Sequence, residues 1–559
     1  MRTRRPLALL AAATAAVMAL AACGGGGGGG GGGTQAGEVG VNDINPRPVE
    51  QLQDGGDFRW PVASIPPNFN YNQLDGPNRD TRDVLGSLVP WPILAEADGT
   101  VQPDPAYLES AELTSEDPQV VTYTINPDAT WSDGTPITWE DFRAQWQALN
   151  GSNEAFLVAS TTGYEDIGNV ERGEDDKQAV VTFATKFSDW QSIYSPLYPR
   201  STNSNPEVFN TGWVDGIPVT AGPFKVQEIN RTANTIIVVR DENWWGDKPK
   251  LDRIIYRAIP PDAQVDALAN NEVDFIDVGP DINAFTRVQT LRGVTVRNSL
   301  APDYRHITFN GAQGSILADP QLRIAIMKGV DRQIIGEALL GQVRPDVRPL
   351  GNHIYVEGLK GFQDNDEIVN YDPQEASRML DELGWTRQGD SIRMKDGQPL
   401  RIRDVIPTEV ATSDQESRIV QQQLRQIGVE VQIDVVPTDD FFPGFVNVSD
   451  FDITHFSWLG TPFPASSSSS IYGLTADVQQ NFGRIGNDRI NELYAQASAE
   501  LDEQRKIELA NEADKEIWAV GHSLLLYQRP NIIATRSNVA NFGAKGFAEV
   551  KYRQIGFTN

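Results

Sequence analysis

Cysteine is almost absent from this chain of 559 residues; it occurs once, as Cys23. No internal disulfide can form, so the fold must rest on core burial. Histidine is nearly as scarce. His306, His353, His455 and His522 stand far apart without metal-ligand spacing, so neither a metal nor another cofactor is expected. Basic charge is in deficit, with 47 Lys and Arg against 76 Asp and Glu and a net charge of −29. Loss of Arg2, Arg4 and Arg5 with a leader would leave 44 basic residues and a charge of about −32. Such a chain is a poor ligand for nucleic acid or anionic headgroups, and its charge favours a soluble monomer. Beyond the first 22 residues there is no long apolar run; a membrane span takes about 20 such residues. No Gly-x-Ser-x-Gly elbow, phosphate loop or His-Glu-x-x-His helix occurs, so no residue is assigned a catalytic role and the chain reads as a non-enzyme.

The N-terminus is the first positive signal. Arg2, Arg4 and Arg5 precede an apolar stretch from Leu7 to Ala22, which ends in Leu20-Ala21-Ala22-Cys23. A basic start, a short apolar core and small residues before a cut site describe a secretory signal over residues 1–22. The last four residues resemble a bacterial lipobox, which implies lipidation of Cys23 and anchorage on the extracytoplasmic face of the cell membrane. Gly24 to Gly33 are ten consecutive glycines. Polyglycine holds no fixed backbone, so residues 23–55 read as a flexible tether.

Folded sequence begins near Asp57. Val121, Tyr123 and Ile125 alternate with Thr122 and Thr124 as a half-buried strand, and Ser132-Asp133-Gly134 marks a turn. Thr138 with Asp141 opens a helix that carries Trp139, Phe142, Trp146 and Leu149 on one face. Asp319-Pro320 and Asp372-Pro373 open two further helices, and Gly384 stops the second. Ser413 and Glu416 read as a capping box for a helix through Ile427, followed by Gly428 and a strand alternating Val429, Val431, Ile433 and Val435.

The block from Val120 to Leu149, with Asp133-Gly134-Thr135-Pro136, Thr138, Glu140 and Asp141, resembles the signature of the extracellular solute-binding proteins of family 5, the peptide/nickel class, in its actinobacterial type. Ala221-Gly222-Pro223-Phe224, Asn243-Trp244-Trp245-Gly246, Asn271-Glu272-Val273-Asp274, Asp319-Pro320 and Leu524 to Gln528 keep the family order. The resemblance implies an α/β, two-lobed periplasmic-binding-protein-like fold (type II, large peptide-binding class) with an inserted subdomain in the first lobe. Lobe 1 is expected over residues 56–305 with the insert about 86–214, lobe 2 over 306–527, and a return to lobe 1 over 528–559.

Ligand would sit between the lobes. Asn68, Phe69 and Asn70 in a first-lobe loop, Asn310 at the end of one crossing strand and Tyr527 in the other are candidate wall residues. In peptide-binding members a second-lobe segment supplies an aspartate to the peptide ammonium. Its counterpart here keeps Trp458, but Gly460 and Thr461 follow, and Thr461 stands in the aspartate's place. A neutral hydroxyl cannot make the charge-assisted bond an ammonium takes in a dry cleft, so a free N-terminus would not be held in the family's way. The reading is a receptor that captures an oligopeptide or other small polar ligand and delivers it to an ABC permease and its ATPase. The alternative is a lipoprotein of the same fold that binds or senses cell-envelope glycolipid. A glycan-processing enzyme would require two carboxylates facing across a sugar-sized pocket.

Overall fold

The computed structural model describes residues 41–559 except 409 and 477. The leader over 1–22, Cys23 and the glycine run lie outside the described residues. In the first lobe, β1 (Asp57–Val62) buries Phe58, Trp60 and Val62. Next, α1 (Arg79–Leu85) starts at Asn78, whose side chain accepts the Thr81 N–H. The chain then builds an antiparallel sheet from β2 (Leu108–Glu116), β3 (Gln119–Ile125), β4 (Ile167–Arg172) and β5 (Gln178–Phe183), in the order β2-β3-β5-β4. Val121, Tyr123 and Ile125 point inward, as their alternation requires. Between β3 and β4 lies α2 (Trp139–Leu149); Asp141 accepts the Thr138 N–H at 2.8 Å, closing the first turn. This region has its own core, drawn from residues between Ile93 and Ala221. β6 (Phe224–Asn230), β7 (Thr235–Arg240) and β8 (Arg253–Ala258) come back to β1 in the order β1-β8-β7-β6, with β1 and β8 parallel. Asn271, at the family's glycine position, has φ +61°. That is a conformation asparagine tolerates better than most side chains, which accounts for its presence there.

β9 (Phe275–Asp277) and β10 (Val294–Phe309) lead into the second lobe. There follow α3 (Pro320–Lys328), α4 (Arg332–Leu340), α5 (Pro373–Glu382), β11 (Arg401–Pro407), α6 (Ala411–Gln426), β12 (Glu430–Val436), β13 (Ile453–Trp458), α7 (Asp488–Ala499), α8 (Glu503–Ala519) and β14 (Ser523–Arg536). The sheet order is β9-β14-β10-β13-β11-β12. β10 and β14 are the long strands that link the lobes. Their register shifts twice: Leu300 faces Pro530 and the next pair is Tyr304 with Gln528, and Arg305 faces Tyr527 while His306 faces Leu525. At the first shift Ala301, Pro302 and Asp303 are left as a bulge opposite Arg529.

Two local expectations change. α6 begins at Ala411, before Ser413, so Ser413 and Glu416 do not form a capping box. Both are buried and serve a different purpose. Arg305 of β10 donates to Glu416 through Nε at 3.0 Å and Nη2 at 2.5 Å, and to Ser413 Oγ at 3.0 Å. Tyr527 of β14 donates its hydroxyl to Glu416 at 2.6 Å. His455 of β13 lies 3.1 Å from Asp404 Oδ2 and 3.4 Å from Glu416 Oε2, and Ser417 donates to Asp404. Two cations and two carboxylates thus balance inside the lobe, a condition for burying charge at tolerable cost. The second change concerns β12, an edge strand. Val431 and Val436 are buried, Ile433 is half-buried and Val435 is exposed, so strict alternation fails where the sheet ends.

Candidate functional site

Side chains from both lobes enclose a cavity of about 430 Å³, within the roughly 300–1,000 Å³ typical of small-ligand sites. α1 contributes Arg79, Arg82 and Asp83 to one wall, with Tyr71 and Trp91 beside them. The C-terminal return adds Lys545, Glu549 and Lys551. Opposite lie the bulge residues Ala301, Pro302 and Asp303, the β9 terminus at Asp277, and the second-lobe pair Leu459 and Gly460. A Cβ on Gly460 would come within 2.5 Å of the Pro302 carbonyl oxygen, so glycine lets the second-lobe loop touch the crossing strand.

Charged side chains of both signs stand among aromatic and aliphatic ones in this lining. Arg79 pairs with Asp277 at 2.6 Å, and Arg82 pairs with Glu549 while its guanidinium lies 5.1 Å over the Trp91 ring. Arg553 grips Asp104 with two bonds of 2.8 Å. Burial pushes the Asp83 carboxyl up to about 6, against the pull of Arg79 and Lys545. Burial also raises Asp303, whose cationic neighbour Arg529 stands 3.7 Å away, and it lowers the Lys545 ammonium. Among the described residues no group of three or more His, Cys, Asp or Glu is arranged to hold a metal. The arrangement suits reversible capture of a polar, charged molecule.

Of the residues singled out from the sequence, Gly460 lines the cavity. Asn68, Phe69 and Asn70 are buried, and they fasten their loop to the segment from Phe209 to Trp213. Asn68 Nδ2 donates to the Asn210 carbonyl at 2.9 Å, Asn70 Nδ2 to the Phe209 carbonyl at 2.8 Å, and the Phe69 N–H to the Trp213 carbonyl at 2.9 Å. Asn310 donates to the Ser449 and Phe451 carbonyls, each at 2.9 Å. Trp458 stacks between His306 and Phe482 at 5.8 and 6.0 Å. Tyr527 belongs to the buried network of Arg305 and Glu416. Thr461 spends its hydroxyl on its own turn, accepting the Phe463 N–H at 3.1 Å and donating to Ser467 at 3.0 Å.

The charged wall escaped the sequence reading. Two signals were present: the run Arg79-Asp80-Thr81-Arg82-Asp83, which puts Arg79, Arg82 and Asp83 on one face of a helix, and Pro302 inside an otherwise strand-like run, where proline marks a bulge.

Comparison with known proteins agrees with this architecture. The family model "Bacterial extracellular solute-binding proteins, family 5 Middle" matches residues 102–480. The oligopeptide-binding protein OppA of Mycobacterium tuberculosis H37Rv is 43% identical over 520 residues, covering 92% of this chain and 87% of that protein. A probable monoacyl phosphatidylinositol tetramannoside-binding protein, LpqW, of the same organism is 32% identical over 234 residues, 42% of this chain and 36% of its own. Among solved structures, the periplasmic EDTA-binding protein EppA superposes with a TM-score of 0.86 at 23% identity, over 94% of this chain and all of its own. The oligopeptide-binding protein AppA of Bacillus subtilis, bound to a nonapeptide, gives 0.74 at 19%, over 91% of this chain and all of its own. The chain belongs to the family 5 extracellular solute-binding proteins, binding components rather than enzymes, which act outside the cytoplasm.

Proposed function

We propose that this protein is a lipid-anchored oligopeptide receptor of an ABC importer. The charged cavity of about 430 Å³ between the lobes is the observation that carries the reading, because it offers both signs of charge to one small ligand. The 43% identity to a mycobacterial oligopeptide-binding protein, over 92% of the chain, supports the ligand class. Binding would proceed by seating the peptide against α1 and the bulge, closing the lobes around it, docking on the permease and reopening. Cys23 would carry the lipid, and the glycine run would let the receptor reach the permease from its anchor.

The likeness to LpqW over 42% of the chain supports one competitor, an envelope glycolipid. Its acyl chains would meet Trp91, Leu94 and Leu459 but also arginines, lysines and carboxylates, a mixed surface less favourable to them than a wholly apolar one. Native mass spectrometry of the detergent-purified lipoprotein with a tripeptide-to-pentapeptide library tests both. Bound peptides of defined mass are expected. Retention of a glycolipid from the host, with no peptide bound at any concentration, would refute the peptide reading. Cys23→Ser should move the protein from the membrane to the soluble extracytoplasmic fraction; unchanged membrane association would refute the anchor.

A further inference from the structure

Two charged side chains of opposite sign line the cavity with unused hydrogen-bonding capacity. Asp303 sits on the β10 bulge, where the break in register turns it out of the ladder. Its carboxylate takes no hydrogen bond among the described residues, and its cationic neighbour, Arg529, is 3.7 Å away, beyond a good bond. Lys545, on the C-terminal return, donates from Nζ to the Ala548 carbonyl at 2.6 Å. An ammonium has three donors, so two remain. Of the other acids of the lining, Asp83 pairs among the described residues only with Arg79 of its own helix, at 3.9 Å, and the remaining three are more fully engaged. Asp104 is held by Arg553, Glu549 by Arg82, and Asp277 by Arg79 and the Gly279 N–H at 3.0 Å. Both side chains are half-buried, so each keeps some water that a ligand group of opposite charge could replace.

We propose that Asp303 receives the ligand's ammonium group and Lys545 its carboxylate, so that the site selects a zwitterion such as a short peptide with both termini free. This rests on the oligopeptide reading above and deepens it. It also resolves the neutral residue at Thr461: the acid comes from the crossing strand, and the Thr461 hydroxyl is already committed to its own turn. Asp83 stands on the facing wall and reinforces the anionic half of the site, while Arg79 and Arg82 remain tied to their carboxylates.

The test uses the full-length protein in detergent and three pools of the same tripeptides and tetrapeptides, with free termini, N-acetylated, and C-amidated. Apparent affinities come from native mass spectrometry titrations. Wild type should bind the free pool, and each cap should weaken binding about 10- to 100-fold, the size of one charge-assisted bond. Asp303→Asn should lose a similar factor for free peptides and become indifferent to acetylation. Lys545→Met should become indifferent to amidation. If capping changes wild-type affinity less than about threefold, or if each variant keeps the wild-type response to its cap, the assignment is overturned while peptide binding stands. If no pool binds the wild type, the oligopeptide reading falls and this inference with it. The two substitutions lie on different elements, so either one suffices if the other impairs folding, which circular dichroism would reveal.

Discussion

Glu416 offers a sharp test of how the second lobe holds its charges. The buried network contains Arg305 and His455 as cations and Glu416 and Asp404 as anions, all fully or almost fully buried. Glu416→Gln removes one anion and leaves two cations sharing Asp404. Breaking a buried pair from one side costs about 3–5 kcal/mol, because the surviving charge is neither solvated nor matched. Arg305→Met should cost the same for the opposite reason. The double variant Arg305→Met/Glu416→Gln leaves His455 with Asp404, a balanced pair, and a neutral amide beside the Tyr527 hydroxyl, for about 1–3 kcal/mol. The double variant should therefore be more stable than either single one, with a coupling of several kcal/mol. Urea unfolding followed by circular dichroism measures this, and thermal melts should show single-variant losses of roughly 2–4 °C per kcal/mol for a lobe of this size. Additive costs within about 1 kcal/mol would refute the claim that the network is held by charge balance rather than by shape.

Further outcomes follow from other named groups. Burial opposes charge on His455, yet Asp404 and Glu416 raise it from 6.5 to about 9. A raised folded value contributes stability that is complete below about pH 6.5 and disappears as pH rises toward 9, so His455→Gln should abolish that alkaline slope in melting temperature; an unchanged slope would contradict the assignment. Burial would raise Glu416, but Arg305 and His455 hold it at about 2, so its contribution should fade only as pH drops from about 4.5 toward 2, and Glu416→Gln should flatten that acid limb. Asp189, from the first lobe, accepts Lys506 Nζ at 2.8 Å and the Ser466 N–H at 3.1 Å across the interlobe junction. Lys506→Met should speed ligand release several-fold and expand the ligand-bound form in small-angle scattering; identical release rates would rule out a closing role. Asn271→Ala should destabilise by about 1 kcal/mol and Asn271→Gly should not, since the position has φ +61°; equal melts would argue against backbone strain there.

The sequence disclosed the elements whose signals are local. Asp141 at the start of α2, Asp319 before Pro320 and Asp372 before Pro373 all accept backbone N–H groups where their spacing placed them. Gly384 and Gly428 adopt the positive φ that ends α5 and α6. What stayed hidden depends on partners distant along the chain. Ser413 and Glu416 satisfy the spacing of a capping box, yet Arg305, more than a hundred residues away, recruits both. The cavity is equally non-local, since α1, the bulge and the C-terminal return meet only after folding. Asn68, Asn70 and Asn310 look like ligand donors in a sequence, but buried backbone carbonyls claim their amides first.

The bulge at Ala301–Asp303 gives the two linking strands a place to flex. An uninterrupted ladder resists bending; here the register pairs are missing over three residues, and with Pro302 fixed in φ and the Ala301 carbonyl accepting Gln528 Nε2 at 2.6 Å, the freedom lies around Asp303. Beyond the bulge, Arg305 and Tyr527 tie both strands to the second lobe through Glu416, which favours bending at the gap. The pivot and a cavity-lining carboxylate thus occupy the same short stretch of backbone, and whatever engages Asp303 also loads the joint. Substitutions there should alter affinity and the rate of opening together, which makes this stretch a poor target for anyone wishing to retune one without the other.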